Sequence, residues 1–112
     1  MLAGSAAVDR EAVPVFAALG DEHRLSLVRR LCSGGPTSVT RLAEGAGITR
    51  QGVSKHLRVL EGAGLVRSIR RGRESIWELD PGRMLAAQRA LDEISREWDA
   101  ALGRLKAFVE TP

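Results

Sequence analysis

The chain is poor in aromatic and sulfur chemistry. Of its 112 residues two are Phe, two are Trp and none is Tyr, so any core must be largely aliphatic. The single cysteine, Cys32, cannot form an internal disulfide, which removes the framework on which small oxidised secreted domains depend. No apolar run approaches the ~20 residues that a membrane-spanning helix needs. Residues 1–8 lack a basic stretch followed by an apolar one and do not read as a secretory signal. A cytoplasmic protein is therefore expected. Repeats, low-complexity tracts and long linkers are also missing. The expected organisation is a flexible N-terminal segment, 1–8, and one domain over 9–112.

What is present is an ordinary globular balance, 44% hydrophobic and 28% charged. The net charge of +3 is unevenly placed. Residues 41–73 hold eight basic side chains and two acidic ones, a net of +6, whereas the remainder holds nine basic and twelve acidic, a net of −3. Charge concentrated in this way either favours a polyanion or is a solvated basic surface.

Hydrophobic spacing divides the chain into elements. A first helix is expected over residues 10–19, with Val13, Phe16 and Ala17 on one face and Gly20 as its stop; Pro14 fits only in a first turn. Asp21 caps a second helix with a Leu25, Val28, Leu31 and Cys32 stripe, ended by residues 33–36. Ser38 caps a short third helix carrying Val39, Leu42 and Ala43 inward. A Gly45-Ala46-Gly47 turn leads to Thr49, the cap of a fourth helix with Val53, Leu57 and Leu60 as its buried stripe. After Gly62-Ala63-Gly64 the period changes to that of strands, over 65–69 and 74–79, around an Arg70-Arg71-Gly72-Arg73 turn. Asp80-Pro81 opens a long last helix.

Two short helices joined by a glycine turn and followed by a β-hairpin make a mainly α winged helix-turn-helix, with four helices, the hairpin and a final helix. The polar face of the fourth helix fits that reading. Arg50, Gln51, Ser54, Lys55 and Arg58 oppose its apolar stripe. Gln pairs with adenine, and Arg or Lys with guanine, when a helix enters the major groove. Ser38 and Thr49 sit at helix starts, where a phosphate can be held. Gly52 permits close approach. Arg70, Arg71 and Arg73 at the hairpin tip suit DNA as well. The competing reading of both segments is a solvated polar surface. His56 either touches a phosphate or caps the packing beneath the wing.

Phe16-Ala17-Ala18-Leu19-Gly20-Asp21-Glu22-His23-Arg24-Leu25 and Val53-Ser54-Lys55-His56-Leu57-Arg58-Val59-Leu60-Glu61-Gly62-Ala63-Gly64-Leu65-Val66 resemble segments of the ArsR/SmtB family. The resemblance covers roughly residues 12–108. It implies a homodimeric repressor that binds an imperfect inverted repeat, often in its own promoter. The family's metal-sensing groups are matched poorly. Where one group has cysteines in the third helix, this chain has Ser38, Thr40 and Ala43. Where another has Asp, His and Glu ligands in the last helix, it has Asp80, Gly82, Glu93 and Arg96. Neither set suits a soft or borderline metal. The expectation is no metal and no cofactor.

In the last helix Met84, Leu91, Trp98 and Leu105 recur every seven residues, and Ala87, Ile94, Ala101 and Phe108 form a second seam. Leu85, Leu102 and Val109 widen the stripe. It is either intramolecular core or a dimer interface joined by Val13 and Phe16, with Trp98 as a central anchor. A symmetric pair would set its recognition helices about 34 Å apart, or a multiple of that, on a pseudo-palindromic duplex. Three rivals stand beside a DNA-binding repressor. An enzyme would need more than Asp21, His23 and Ser26, which no phosphate loop or strand-borne nucleophile accompanies. A protein-binding winged helix would not need the wing arginines. A thiol sensor would need Cys32 to be more than a small buried hydrophobe.

Overall fold

The computed structural model describes the backbone of residues 2–110 and the side chains of residues 9–110. In chain order the elements are α1 (Leu2–Leu19), α2 (Glu22–Gly34), β1 (Thr37–Ser38), α3 (Val39–Ala43), α4 (Arg50–Gly62), β2 (Val66–Arg71), β3 (Glu74–Leu79) and α5 (Pro81–Glu110).

The first helix departs from expectation. It begins at Leu2 rather than at residue 10, and Pro14 lies inside it. The alanines ahead of residue 10 are the strongest helix formers, and their propensity carries the helix backwards. Pro14 and Val13 are exposed, so the backbone bond that proline removes is lost on the outer side. The buried face is Ala12, Val15 and Ala18 rather than Val13 and Ala17; Phe16 is half-buried. In α2 the buried set is Leu27, Val28 and Leu31. Leu25 and Cys32, expected on that stripe, are exposed at its flank.

Capping follows the sequence closely. The side chains of Asp21, Ser38 and Thr49 accept from the amides of Arg24, Arg41 and Gly52 at 3.0, 3.3 and 3.0 Å. Asp80 accepts from the Gly82 amide, with Pro81 as the first residue of α5. Gly45 and Gly47, both at positive φ, make the turn between α3 and α4. At the end of α4 the Leu65 amide bonds the Leu60 carbonyl and the Gly64 amide bonds the Glu61 carbonyl, with Gly64 at φ +81°, which is a Schellman stop.

The sheet has three antiparallel strands in the order β1-β3-β2, one more than expected, because Thr37 and Ser38 pair with Trp77 and Ile76. The hairpin is tighter than the sequence suggested. Arg70 and Arg71 belong to β2, opposite Ser75 and Glu74, which leaves Gly72 and Arg73 as a two-residue turn. Gly72 has φ +61° and no described non-glycine residue has positive φ, the requirement of a type II′ turn. That turn preserves the right-handed strand twist, and it draws both arginines into the ladder.

One core joins these pieces. Leu42, Val53, Leu57, Leu60, Leu65, Val66 and Trp77 meet the buried faces of α1 and α2, together with Ala87 and Ala90 of α5. Beyond Ala90 every large apolar residue of α5 is exposed: Leu91, Ile94, Trp98, Leu102, Leu105, Phe108 and Val109. The radius of gyration is 18.2 Å, against about 13 Å for a compact domain of this length. The difference reflects α5, whose 30 residues extend for about 45 Å.

Two glycines test this account. A Cβ on Gly64 would run into Cγ of Arg83, at a backbone angle that L residues disfavour. Gly64→Ala is expected to cost about 1–2 kcal/mol. Gly103, inside α5 with nothing within 4 Å of its absent Cβ, should gain up to about 1 kcal/mol as alanine. Urea unfolding of the two variants measures both.

Candidate nucleic-acid interface

Burial of Val53, Leu57 and Leu60 turns the other side of α4 outward. Arg50, Gln51, Lys55 and Arg58 are exposed there and Ser54 is half-buried. An open groove runs between this face, the start of α3 and the hairpin turn. It is lined by Ser38, Val39, Thr40, Thr49, Arg50, Gln51, Gly52, Ser54, Lys55, Arg58, Arg73, Glu74 and Ser75. Recognition-type helix and wing therefore open on one space.

Its electrostatics are simple. Arg50, Lys55, Arg58 and Arg73 face one carboxylate, Glu74. Among the described residues the ion pairs lie elsewhere, at Asp21–Arg24, Asp21–His56, Arg67–Glu78 and Lys106–Glu110. The groove cations are thus not neutralised by the protein. Ser38 and Thr49 use their oxygens to accept helix-capping bonds, which leaves each O–H free to donate to an anion.

The other expected residues are placed differently. Arg70 lies on the sheet face shared with Ser75 and Trp77, and its Nε donates to the Gly72 carbonyl at 3.2 Å. Arg71 lies on the opposite face, across from Glu74. Neither lines the groove, so Arg73 is the arginine of the turn that does.

His56 does not line the groove; it lies at the junction of α1 and α2. Its Nδ1 lies 3.5 Å from Nη1 of Arg24 and 4.0 Å from Oδ1 of Asp21, and its ring centroid is 5.6 Å from that of His23. Arg24 also donates from Nε to the Ala18 carbonyl at 2.6 Å. The cluster fastens the α1–α2 junction to α4. The Arg24 amide bond contributes most to holding the Asp21 carboxyl below its usual range; desolvation opposes it, and the charges of Arg24 and His56 reinforce the lowering. Arg30 does a similar service at α3, donating to the carbonyls of Leu42 and Arg41.

Arg58, which its spacing already puts on the polar face of α4 with Ser54 and Lys55, lines the groove as well. Glu74 and Ser75 follow once the turn has two residues. Thr40 and the Arg24 clamp carried no local signal. Among the described residues no three His, Cys, Asp or Glu side chains gather as a metal site, and no helix is long and apolar enough to cross a membrane. Of the expected interface residues, Val13, Leu91, Ile94, Trp98, Leu102 and Leu105 are exposed, Trp98 at 64%. Phe16 and Met84 pack partly against the core.

A capped helix pair, a glycine turn and an antiparallel hairpin bordering one cationic groove define a winged helix-turn-helix protein. Residues 19–69 match the family model described as a helix-turn-helix domain. The HTH-type transcriptional regulator Rv2034 of Mycobacterium tuberculosis is 39% identical over 85 residues, 76% of each chain. The arsenical resistance operon repressor of Bacillus subtilis is 35% identical over 58% of this chain and 62% of its own. Among solved structures, an ArsR-like transcriptional regulator from Rhodococcus sp. RHA1 aligns with TM-score 0.71 and 34% identity, covering 92% of this chain and 96% of that one. The chain belongs to the ArsR family of winged helix-turn-helix transcriptional regulators.

The lowered Asp21 titration has a signed consequence. A carboxyl whose folded value is depressed contributes stability above its unfolded value, here 3.8, and loses it as pH falls through the folded value. Asp21→Asn keeps a capping oxygen and removes the charge. Thermal melts from pH 6 down to about 2 should show a shallower acid decline in the variant than in the parent.

Proposed function

We propose that the protein is a homodimeric repressor that occludes a pseudo-palindromic operator near its own promoter. The observation that carries this reading is the groove. Four cations without protein partners lie along the first nine residues of α4 and the wing turn, where a duplex could meet both. In this reading Gln51 and Arg50 or Lys55 read base edges, and Thr49, Ser38, Arg58 and Arg73 hold the backbone. Arg70 and Arg71 act as nearby positive charge. Occlusion of polymerase needs no catalytic group, cofactor or metal, and the setting is the cytoplasm.

The dimer rests on α5. An apolar stripe covered by α1 at Ala86–Ala90 continues uncovered from Leu91 to Val109. Exposed apolar surface of this extent marks an interface. The second copy of α5, with Val13 and Phe16 of α1 beside it, fits the seven-residue period. Support comes also from relatives: the Bacillus subtilis protein is named an operon repressor, and a Mycobacterium bovis domain 26% identical to this chain, TM-score 0.64, is described as homodimeric, winged and DNA-binding.

The exposure of Cys32 favours a second reading, a repressor released by oxidation of that thiol. Oxidant that changes operator affinity in the parent but not in Cys32→Ser would establish it; equal affinity in both excludes it.

Titration of duplex DNA across salt tests the main reading. Binding should weaken steeply as salt rises. Gln51→Ala should cost about 1–3 kcal/mol on the operator and relax base preference at one position, while Arg73→Ala should weaken every duplex and flatten the salt dependence by about one unit. No binding at low salt would point instead to a protein partner. In sedimentation, Trp98→Ala should move the population towards monomer; an unchanged dimer would remove Trp98 from the interface.

A further inference from the structure

The wing carries two directly opposed Arg–Glu pairs on one face of the hairpin, Arg67 with Glu78 and Arg71 with Glu74. They behave differently. Arg67 donates from Nε and Nη2 to Oε2 of Glu78 at 3.0 and 2.8 Å. Glu74 stands across from Arg71 and next to Arg73, yet among the described residues its carboxylate takes part in no hydrogen bond or ion pair. It lines the groove instead, with Arg50, Lys55, Arg58 and Arg73. Exposed and unpaired, the Glu74 carboxylate is hydrated at the edge of the groove and is in a position to meet whatever enters it.

An ionised carboxylate accepts hydrogen bonds and cannot donate them. Opposite a phosphate it is repelled. Opposite the amino group of cytosine or adenine in the major groove, or of guanine in the minor groove, it is satisfied. The same side chain thus opposes binding to an arbitrary duplex and permits binding where a base donor lies in reach. We infer that Glu74 is a specificity-determining residue of the groove, which repels the backbone of non-cognate DNA and accepts a base amino group on the operator. This inference rests on the reading that the groove takes duplex DNA.

The experiment selects binding sites for the full-length parent from a pool of random-sequence duplexes. The enriched duplex and a scrambled version are then titrated at one salt concentration with the parent, Glu74→Gln, Glu74→Ala and Glu78→Gln. Both Glu74 variants should bind the scrambled duplex more tightly, and the enriched-to-scrambled affinity ratio should fall by roughly fivefold or more, the scale of one lost base contact. Glu74→Ala, which also lacks the acceptor oxygen, should lose more of the ratio than Glu74→Gln. Glu78→Gln, which breaks the Arg67 pair away from the groove, should leave the ratio unchanged. An equal shift on both duplexes, no shift on either, or a comparable fall in ratio for Glu78→Gln would overturn the role of Glu74. A parent that binds duplexes but enriches no motif would also overturn it. A parent that binds no duplex at all would overturn the DNA reading itself, and the inference with it.

Discussion

Val53, Leu57 and Leu60 are wholly buried on one side of α4. Each contributes about 1.5–3 kcal/mol by leaving water, and they lie on adjacent turns, so a rotation of the helix would expose all three together. That cost fixes which residues face out. Gln51, Ser54, Lys55 and Arg58 are presented to solvent because their neighbours cannot be. Leu42 of α3 and Leu65 before β2 close on the same cluster, which places the start of α3 and the wing around α4 and forms the groove. The chemistry of the site is thus a by-product of an aliphatic packing decision.

Arginine illustrates how the fold separates structure from function. Arg24, Arg30 and Arg67 are tied down by a backbone carbonyl, a helix end and a carboxylate. Each has protein acceptors within its reach. Arg50, Arg58 and Arg73, together with Lys55, line the groove and share it with a single acid. Like charges gathered in that way disfavour the isolated fold slightly and favour an anionic partner. The planar fork that lets Arg24 hold a carbonyl and approach His56 is the same property that suits arginine to guanine and phosphate, so sequence composition alone could not tell the two groups apart.

Much of the local architecture was legible because it depends on neighbours in sequence. The caps at Asp21, Ser38, Thr49 and Asp80, the glycine turn at 45–47 and the buried stripe of α4 all follow from residues within a turn or two. Local pattern and structure part where long-range packing decides. Val13 and Ala17 carry as good a helical spacing as Ala12, Val15 and Ala18, and only the position of the other helices selects between the faces. Leu25 and Cys32 lost to Leu27 and Leu31 for the same reason. The pairing of Thr37 and Ser38 with β3 depends on a strand nearly forty residues away. The wing boundary is set by the register of Arg70 and Arg71 with Ser75 and Glu74, which the run of arginines by itself does not reveal. His56 was ambiguous because Asp21 and Arg24, its neighbours in space, are distant in sequence.

The placement of α4 is also referenced to α5. The Schellman stop brings Gly64 against the side chain of Arg83, two residues into the last helix, and the Leu65 carbonyl accepts from the Asp80 amide at 2.9 Å. The end of the groove helix and the beginning of the long helix therefore share one short, hydrogen-bonded junction. A Cβ at position 64 would make the Arg83 side chain shift, and the positive φ of Gly64 adds a dihedral reason for glycine there. In the proposed dimer the two α5 helices meet farther along, from Leu91 onward, so the position of each groove relative to the symmetry axis passes through this junction. A site that must match a fixed helical repeat on DNA needs such a rigid reference. The junction supplies it with backbone bonds and close contact, leaving the groove side chains free to meet the duplex.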